Sequence, residues 1–287
     1  MTWPRPDIQQ LGINYRRIPV LAIGRDIYCD TSLMLEKLET LFPGQGLSHP
    51  GADEKAQESS LERWSQSTLM QTAASLLPHT APLLKDPVFL ADRKKLWGID
   101  FSPEIVKKAR PNALKGLETV LKAIDEHLID GRQWISGSND IGMADIHVGF
   151  FFDWLAMIPG SLPEDFATGA KYFNARQYLQ RYIARASVER EQFGPTATLE
   201  GAEAIQLTKK AGFVEPEGAM VDTDAGVSKG ETVAVFRTDD LSGHKDVGLL
   251  LSLSAQESVI VAGAAADLRL HCPRVNFGIS GGESTAE

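Results

Sequence analysis

The spacing of apolar positions changes twice along this chain of 287 residues, and the changes mark three parts. Near the start, Val20, Leu21 and Ile23, then Ile27 and Tyr28, are strand formers separated by Gly24-Arg25-Asp26. That pattern predicts a tight β-hairpin. A helix over Ser32–Leu41 follows, with Asp30-Thr31 at its start, and a short helical turn over Asp7–Leu11 precedes the hairpin. From Asp53 to about Ser187 the period becomes helical. Leu61, Trp64, Thr68, Leu69, Ala73 and Leu76 recur at steps of three and four, which predicts one helix over Asp53–Leu77, stopped by Pro78. Further helices are predicted over Pro87–Leu96, Pro103–Leu128, Met143–Met157 and Lys171–Ala186. Ser102 caps the long third one, and Pro111 should kink it or break it near Ala109-Arg110. At helical spacing Trp64 reads as core.

Beyond Pro195 the pattern changes again. A short helix, Thr198–Ala211, leads to strand-like runs at Thr232–Phe236, Val247–Leu253, Ser258–Ala262 and Leu268–Cys272. Asp239-Asp240, Ser242-Gly243, Ala255-Gln256 and Gly263 punctuate them. Short strands at regular spacing suggest a compact β-barrel-like domain or meander. Gly278 and Gly281-Gly282 read as turns, and residues 281–287 as a frayed end. The fold class expected is therefore α+β in three parts: residues 1–45, 46–195 and 196–287.

A formal charge of −9, with basic residues interleaved among acids, argues against nucleic acid as a partner. No apolar run approaches membrane-spanning length, and two cysteines, Cys29 and Cys272, suit a reducing cytoplasm. Cys29 alternates with Tyr28 and Asp30 along its strand, so a small buried hydrophobe is the better reading than a nucleophile. His49, His79, His127, His147, His244 and His271 have no companion at metal-ligand spacing, and no metal is expected. His147 falls on a buried pattern, and His244 in an acidic surface turn.

Pro19 at the mouth of the first strand cannot donate to a sheet ladder. A cis Ile18-Pro19 bond would explain it, leaving the neighbouring backbone open to pair with a ligand. Asp30 and Thr31 put an acid and a hydroxyl at a helix N-terminus, where free N–H groups favour an anion. Their bland reading is a helix cap and nothing more.

This order of residues resembles the second half of the thioredoxin-like domain of glutathione S-transferases, most closely the fungal branch that includes members encoded beside secondary-metabolite pathways. The resemblance implies that the backbone at Ile18 and Pro19 meets the cysteinyl part of glutathione, while Asp30 and Thr31 hold its γ-glutamyl end. Asp-Thr stands where the family more often has Glu-Ser. It further implies an all-α domain of the transferase C-terminal type, a small-molecule electrophile as acceptor, conjugation or addition–elimination isomerisation as the reaction, and a homodimer. Gly142-Met-Ala-Asp145 resembles the capping signature of that domain's buried helix, which makes Asp145 structural.

The residues before Arg17 are too few for the strand–helix–strand unit that opens a thioredoxin-like domain. In the family that unit carries the thiol-activating residue, so the catalytic residue is unknown, and the first strand should have an open edge. Two readings stay open, a longer natural chain starting upstream of an internal Met, or a shortened non-catalytic interaction module. The surviving motif residues favour the first.

Overall fold

The computed structural model describes residues 2–166, 168–216, 218, 225–262 and 267–281. Residues Met1–Leu41, Ala91–Ile99 and Thr198–Glu287 form one compact unit, and Phe42–Leu90 with Asp100–Ala197 form a second.

The first unit is built on a seven-stranded sheet. Strands β1 (Val20–Ile23) and β2 (Asp26–Cys29) make the expected hairpin, with Ile23 opposite Asp26. Gly24 begins its two-residue loop at φ +61, the conformation a primed turn requires at that place. A Cβ on Gly24 would lie 2.3 Å from the carbonyl oxygen of Gly212, so both the turn and a passing backbone demand glycine. The other strands are β3 (Thr232–Arg237), β4 (Lys245–Leu253), β5 (Glu257–Ala262), β6 (Leu268–Pro273) and β7 (Phe277–Gly281). They stand in the order β1-β2-β6-β5-β4-β3-β7.

This order joins what the sequence divides. The tail strands do not close on themselves as a separate domain, because β6 lies parallel to β2 with Tyr28 opposite His271. The outer side of β2 offers a row of unpaired N–H and C=O groups, and β6 satisfies it. Residues 1–41 and the tail thus share one sheet, unlike the expected partition at 1–45 and 196–287. β1 is an end strand of the order, in keeping with the open edge expected of it. β7 is a second departure: Gly278 and Gly281, read as turns, pair with Phe236 and Val233 of β3, while Gly282 lies outside the described residues. A Cβ on Gly278 would meet the Phe236 ring at 2.8 Å, so this glycine serves close packing. The end of the chain expected to fray lies, past Gly281, outside the described residues.

Strand alternation gives the sheet two apolar faces. Ile27, Cys29, Val233, Val235, Ile260, Leu270 and Cys272 share one core with Leu11, Ile13 and Tyr15. Helices α1 (Pro6–Gln10) and α9 (Gly201–Lys210) supply Ile8 and Ile205 to it. Tyr28 points the other way, packing with Leu33 and Met34 of α2 (Thr31–Leu41).

The second unit is the expected helical bundle. Its helices are α3 (Ala52–Trp64), α4 (Met70–Ser75), α6 (Pro103–His127), α7 (Met143–Ala156) and α8 (Phe173–Phe193). Helix α5 (Pro87–Trp97) connects, with its second half in the first unit. Where one helix is predicted over Asp53–Leu77, a π-helical turn at Ser65–Leu69 separates α3 from α4. Ser65 and Ser67 donate their hydroxyls to the carbonyls of Glu62 and Arg63, at 2.7 and 2.9 Å, and so compete for the helical ladder. Helix α6 runs unbroken through Pro111. It is held by Ala113, Leu117, Val120, Leu121 and Ile124 in the core and by Arg110, which donates to Leu76 and to Ser161 at 2.6 Å. Trp64 packs against this core, as its spacing indicates. Asp145 accepts from the N–H of Gly142 at 2.9 Å and of Ile135 at 2.7 Å, which makes it the buried cap of α7.

Candidate functional site

The last pair of the hairpin ladder is Val20 with Cys29; Ile18-Pro19 comes immediately before the first of these and Asp30-Thr31 immediately after the second. The two residue pairs singled out in the sequence therefore flank the same end of the hairpin. The Ile18-Pro19 bond is cis. Ile18, Pro19 and Thr31 are exposed, Ile18 by 54%.

Asp30 turns the chain from β2 into α2 at φ +72, a left-handed conformation rare for a residue with a side chain. Its Oδ1 accepts from the backbone N–H of Ser32 at 3.2 Å and from the Ser32 hydroxyl at 3.0 Å. Its Oδ2 pairs with Arg237 at the end of β3. Arg237 also grips Asp239, which in turn takes both terminal nitrogens of Arg17 at 3.0 and 3.1 Å. Asp240 lies 3.4 Å from Arg17. Burial opposes the charges here, but the paired groups outweigh it. Arg237 is held above and Asp239 below the ordinary range. This end of the hairpin is thus bordered by two arginines, Arg237 and Arg17, a feature the sequence alone does not reveal.

Neither the Cys29 thiol nor the Tyr15 phenol is activated. Burial, reinforced by Cys272, pushes the Cys29 thiol well up, and burial likewise raises the Tyr15 phenol far beyond neutrality. Both cysteines are free and buried. Cys29 and Cys272 follow the Tyr28–His271 pair on neighbouring strands, inside the apolar core.

On the opposite face of the sheet lies a second cluster that sequence reasoning misses. His271, 2% exposed, places Nε2 at 3.1 Å from Asp26 and Nδ1 at 3.3 Å from Glu257. Lys37 of α2 donates to Glu257 at 3.0 Å and to Glu215 at 2.9 Å. The Tyr28 hydroxyl donates to Glu215 at 2.6 Å, and its ring lies 4.6 Å from that of His271. Asp26 also receives the N–H groups of Val214 at 2.6 Å and Glu215 at 3.3 Å. Arg269 donates to the Glu215 carbonyl at 2.6 Å and stands 3.9 Å from Asp26. Ligand-type atoms of Glu215, Glu257 and His271 lie within 4.8 Å of one another. The Lys37 ammonium already bridges the two carboxylates, however, so the place of a cation is taken and we do not assign these residues to a metal. The legible signal was parity: Asp26 and Tyr28 share one face of β2, and Arg269 and His271 share one face of β6.

The other histidines lie apart from this cluster: His49 accepts from the N–H of Gly51 at 3.1 Å, and His127 lies 3.3 Å from Gln57. His147 is half-buried, and burial lowers its pKa to about 4. His244 leans on the Trp3 ring at 4.5 Å. Among the described residues no helix is long and apolar enough to cross a membrane.

Comparison with known proteins agrees with this architecture. Residues 72–191 match a family described as a domain of unknown function (DUF7962), a stretch that contains most of the bundle. No curated protein matches the sequence. Among solved structures, a GST-like protein from Pseudomonas syringae superposes with a TM-score of 0.68 at 24% identity, over 97% of this chain and 87% of that one. The chain has a mixed α+β fold similar to that of a GST-like protein.

Proposed function

We propose that this chain binds glutathione at the hairpin end formed by Ile18, Pro19, Asp30 and Thr31, and promotes addition of its thiolate to a small electrophilic metabolite. The observation that supports this most directly is that Ile18-Pro19 and Asp30-Thr31 flank the same end of the hairpin, in a fold like that of a GST-like protein. The exposed backbone at Ile18 would pair with the cysteinyl residue. The start of α2 would receive the γ-glutamyl group, its carboxylate on free N–H groups and its ammonium near Asp30. Catalysis would come from holding the nucleophile, since the buried Cys29 and Tyr15 supply neither an attacking thiolate nor a phenolate. Conjugation and addition–elimination share that first step. The two free thiols suit a cytoplasmic setting.

A second reading, a non-catalytic module of the same fold, draws on a specific observation. Both carboxylate oxygens of Asp30 are already engaged, by Ser32 and by Arg237. Titration calorimetry with glutathione separates the two. Heat of binding that is lost in Asp30→Ala supports the first reading; no heat from the wild-type chain supports the second.

A further inference from the structure

The cluster around His271 fastens two pieces of chain onto the sheet. One is α2, through Lys37. The other is the strap Gly212–Glu215, which crosses the hairpin loop: Arg25 donates its N–H to Gly212, and Gly24 pairs with Phe213. Arg25 and Arg269 also lie over the Phe213 ring, and the remaining contacts of the strap converge on a few charges. Asp26 takes two of its N–H groups, Tyr28 and Lys37 hold its Glu215 carboxylate, and Arg269 holds its carbonyl. His271 is the only one of these groups whose charge ordinarily changes near neutral pH.

We propose that this cluster is a proton-operated clasp: while His271 carries its proton the strap 212–215 is locked to the sheet, and loss of that proton releases the strap.

The argument is one of donors and charges. A protonated imidazole donates from both nitrogens and satisfies Asp26 and Glu257 together; a neutral one has a single N–H and turns a lone pair toward the other carboxylate. The groups facing the ring are Asp26 and Tyr28 from β2, Glu257 from β5, Lys37 and Glu36 from α2, Glu215 from the strap, and Arg269 on its own strand. Asp26, Glu257 and Glu215 stand against His271, Lys37 and Arg269 when the ring is charged, with the half-buried Glu36 as a further acid beside Lys37. Without its proton a buried negative charge is left over, and Asp26 sits at 0% exposure, where an uncompensated charge is least tolerated. The segment with most to lose is the strap, whose two N–H groups depend on Asp26.

Burial works against a charge on His271, but the hydrogen bonds to Asp26 and Glu257 outweigh it, and the ring's pKa is raised from 6.5. A group raised in the folded state contributes its full stability below its unfolded value and loses it as pH climbs through the folded one. The clasp is therefore closed below 6.5 and opens above it.

Amide hydrogen exchange on the full chain, followed across the range where histidine changes charge, tests this alongside NMR titration of the His271 ring. The ring should titrate above 6.5. Protection of the Val214 and Glu215 amides, corrected for intrinsic exchange, should fall through the same midpoint. The total loss should be roughly tenfold for each unit by which the ring exceeds its ordinary value. Amides of α6 serve as the internal reference and should not follow. In His271→Gln the strap amides should be weakly protected at every pH. A ring that titrates below its ordinary value, or strap protection indifferent to the ring's titration, overturns the proposal. If His271→Gln does not fold, the two wild-type measurements decide alone. Neither outcome depends on whether glutathione binds.

Discussion

Two charge clusters lie on the same sheet, and they differ chiefly in which cation holds the carboxylates. At the hairpin end, Asp30 and Asp239 are gripped by Arg237 and Arg17, whose guanidinium forks stay charged throughout the accessible pH range. On the other face, Asp26 and Glu257 share His271, whose charge is conditional. The first arrangement fixes an exposed end that could meet a ligand. The second fastens a covering strap. The lesson is that similar carboxylates become permanent or switchable according to their partner, and that burial sharpens the distinction.

Substitutions can break this contrast, beginning with the deepest. Asp26→Ala removes the acceptor of two strap N–H groups and leaves His271 facing Glu257 alone. We expect a loss of about 4 kcal/mol in urea unfolding, the cost typical of breaking a buried pair. Arg237→Ala should cost less, about 2 kcal/mol, because Asp239 keeps Arg17 and Asp30 keeps Ser32. That loss should be the same on either side of the His271 titration; a loss that varies with pH there would erase the proposed division of labour. Asp145→Ala offers a comparison outside both clusters. It strips the cap of α7 and should lower stability by about 1–2 kcal/mol while leaving glutathione heat unchanged. A drop in affinity without a drop in stability would overturn its structural assignment.

How far the sequence speaks depends on the distance between interacting residues. The hairpin, α2 and the bundle helices follow from neighbours a few positions apart, and so does the Asp145 cap. That Ile18-Pro19 and Asp30-Thr31 flank one end of the hairpin follows from its two strands as well. What stayed hidden is non-local. His271 and Asp26 are 245 residues apart, and nothing in the spacing of either reveals that β6 aligns with β2. The same holds for Arg237, which reaches Asp30 across 207 residues. β7 escaped for a different reason, since Gly278 reads as a turn until the ring of Phe236 occupies the space of its missing side chain. The π-turn at Ser65–Leu69 was masked by an unbroken helical period, though its serines hold the explanation.

The parallel pairing of β2 with β6 has a consequence for how the chain is made. The ribosome delivers the hairpin long before its partner, and at about 5–20 residues per second the wait across those 245 positions is on the order of 10–50 s. Throughout that interval β2 has an unmet edge, while the intervening helices can already be assembling. Chaperone occupancy during translation, and premature stops ahead of β6, should therefore weigh on the first strands as heavily as on the last.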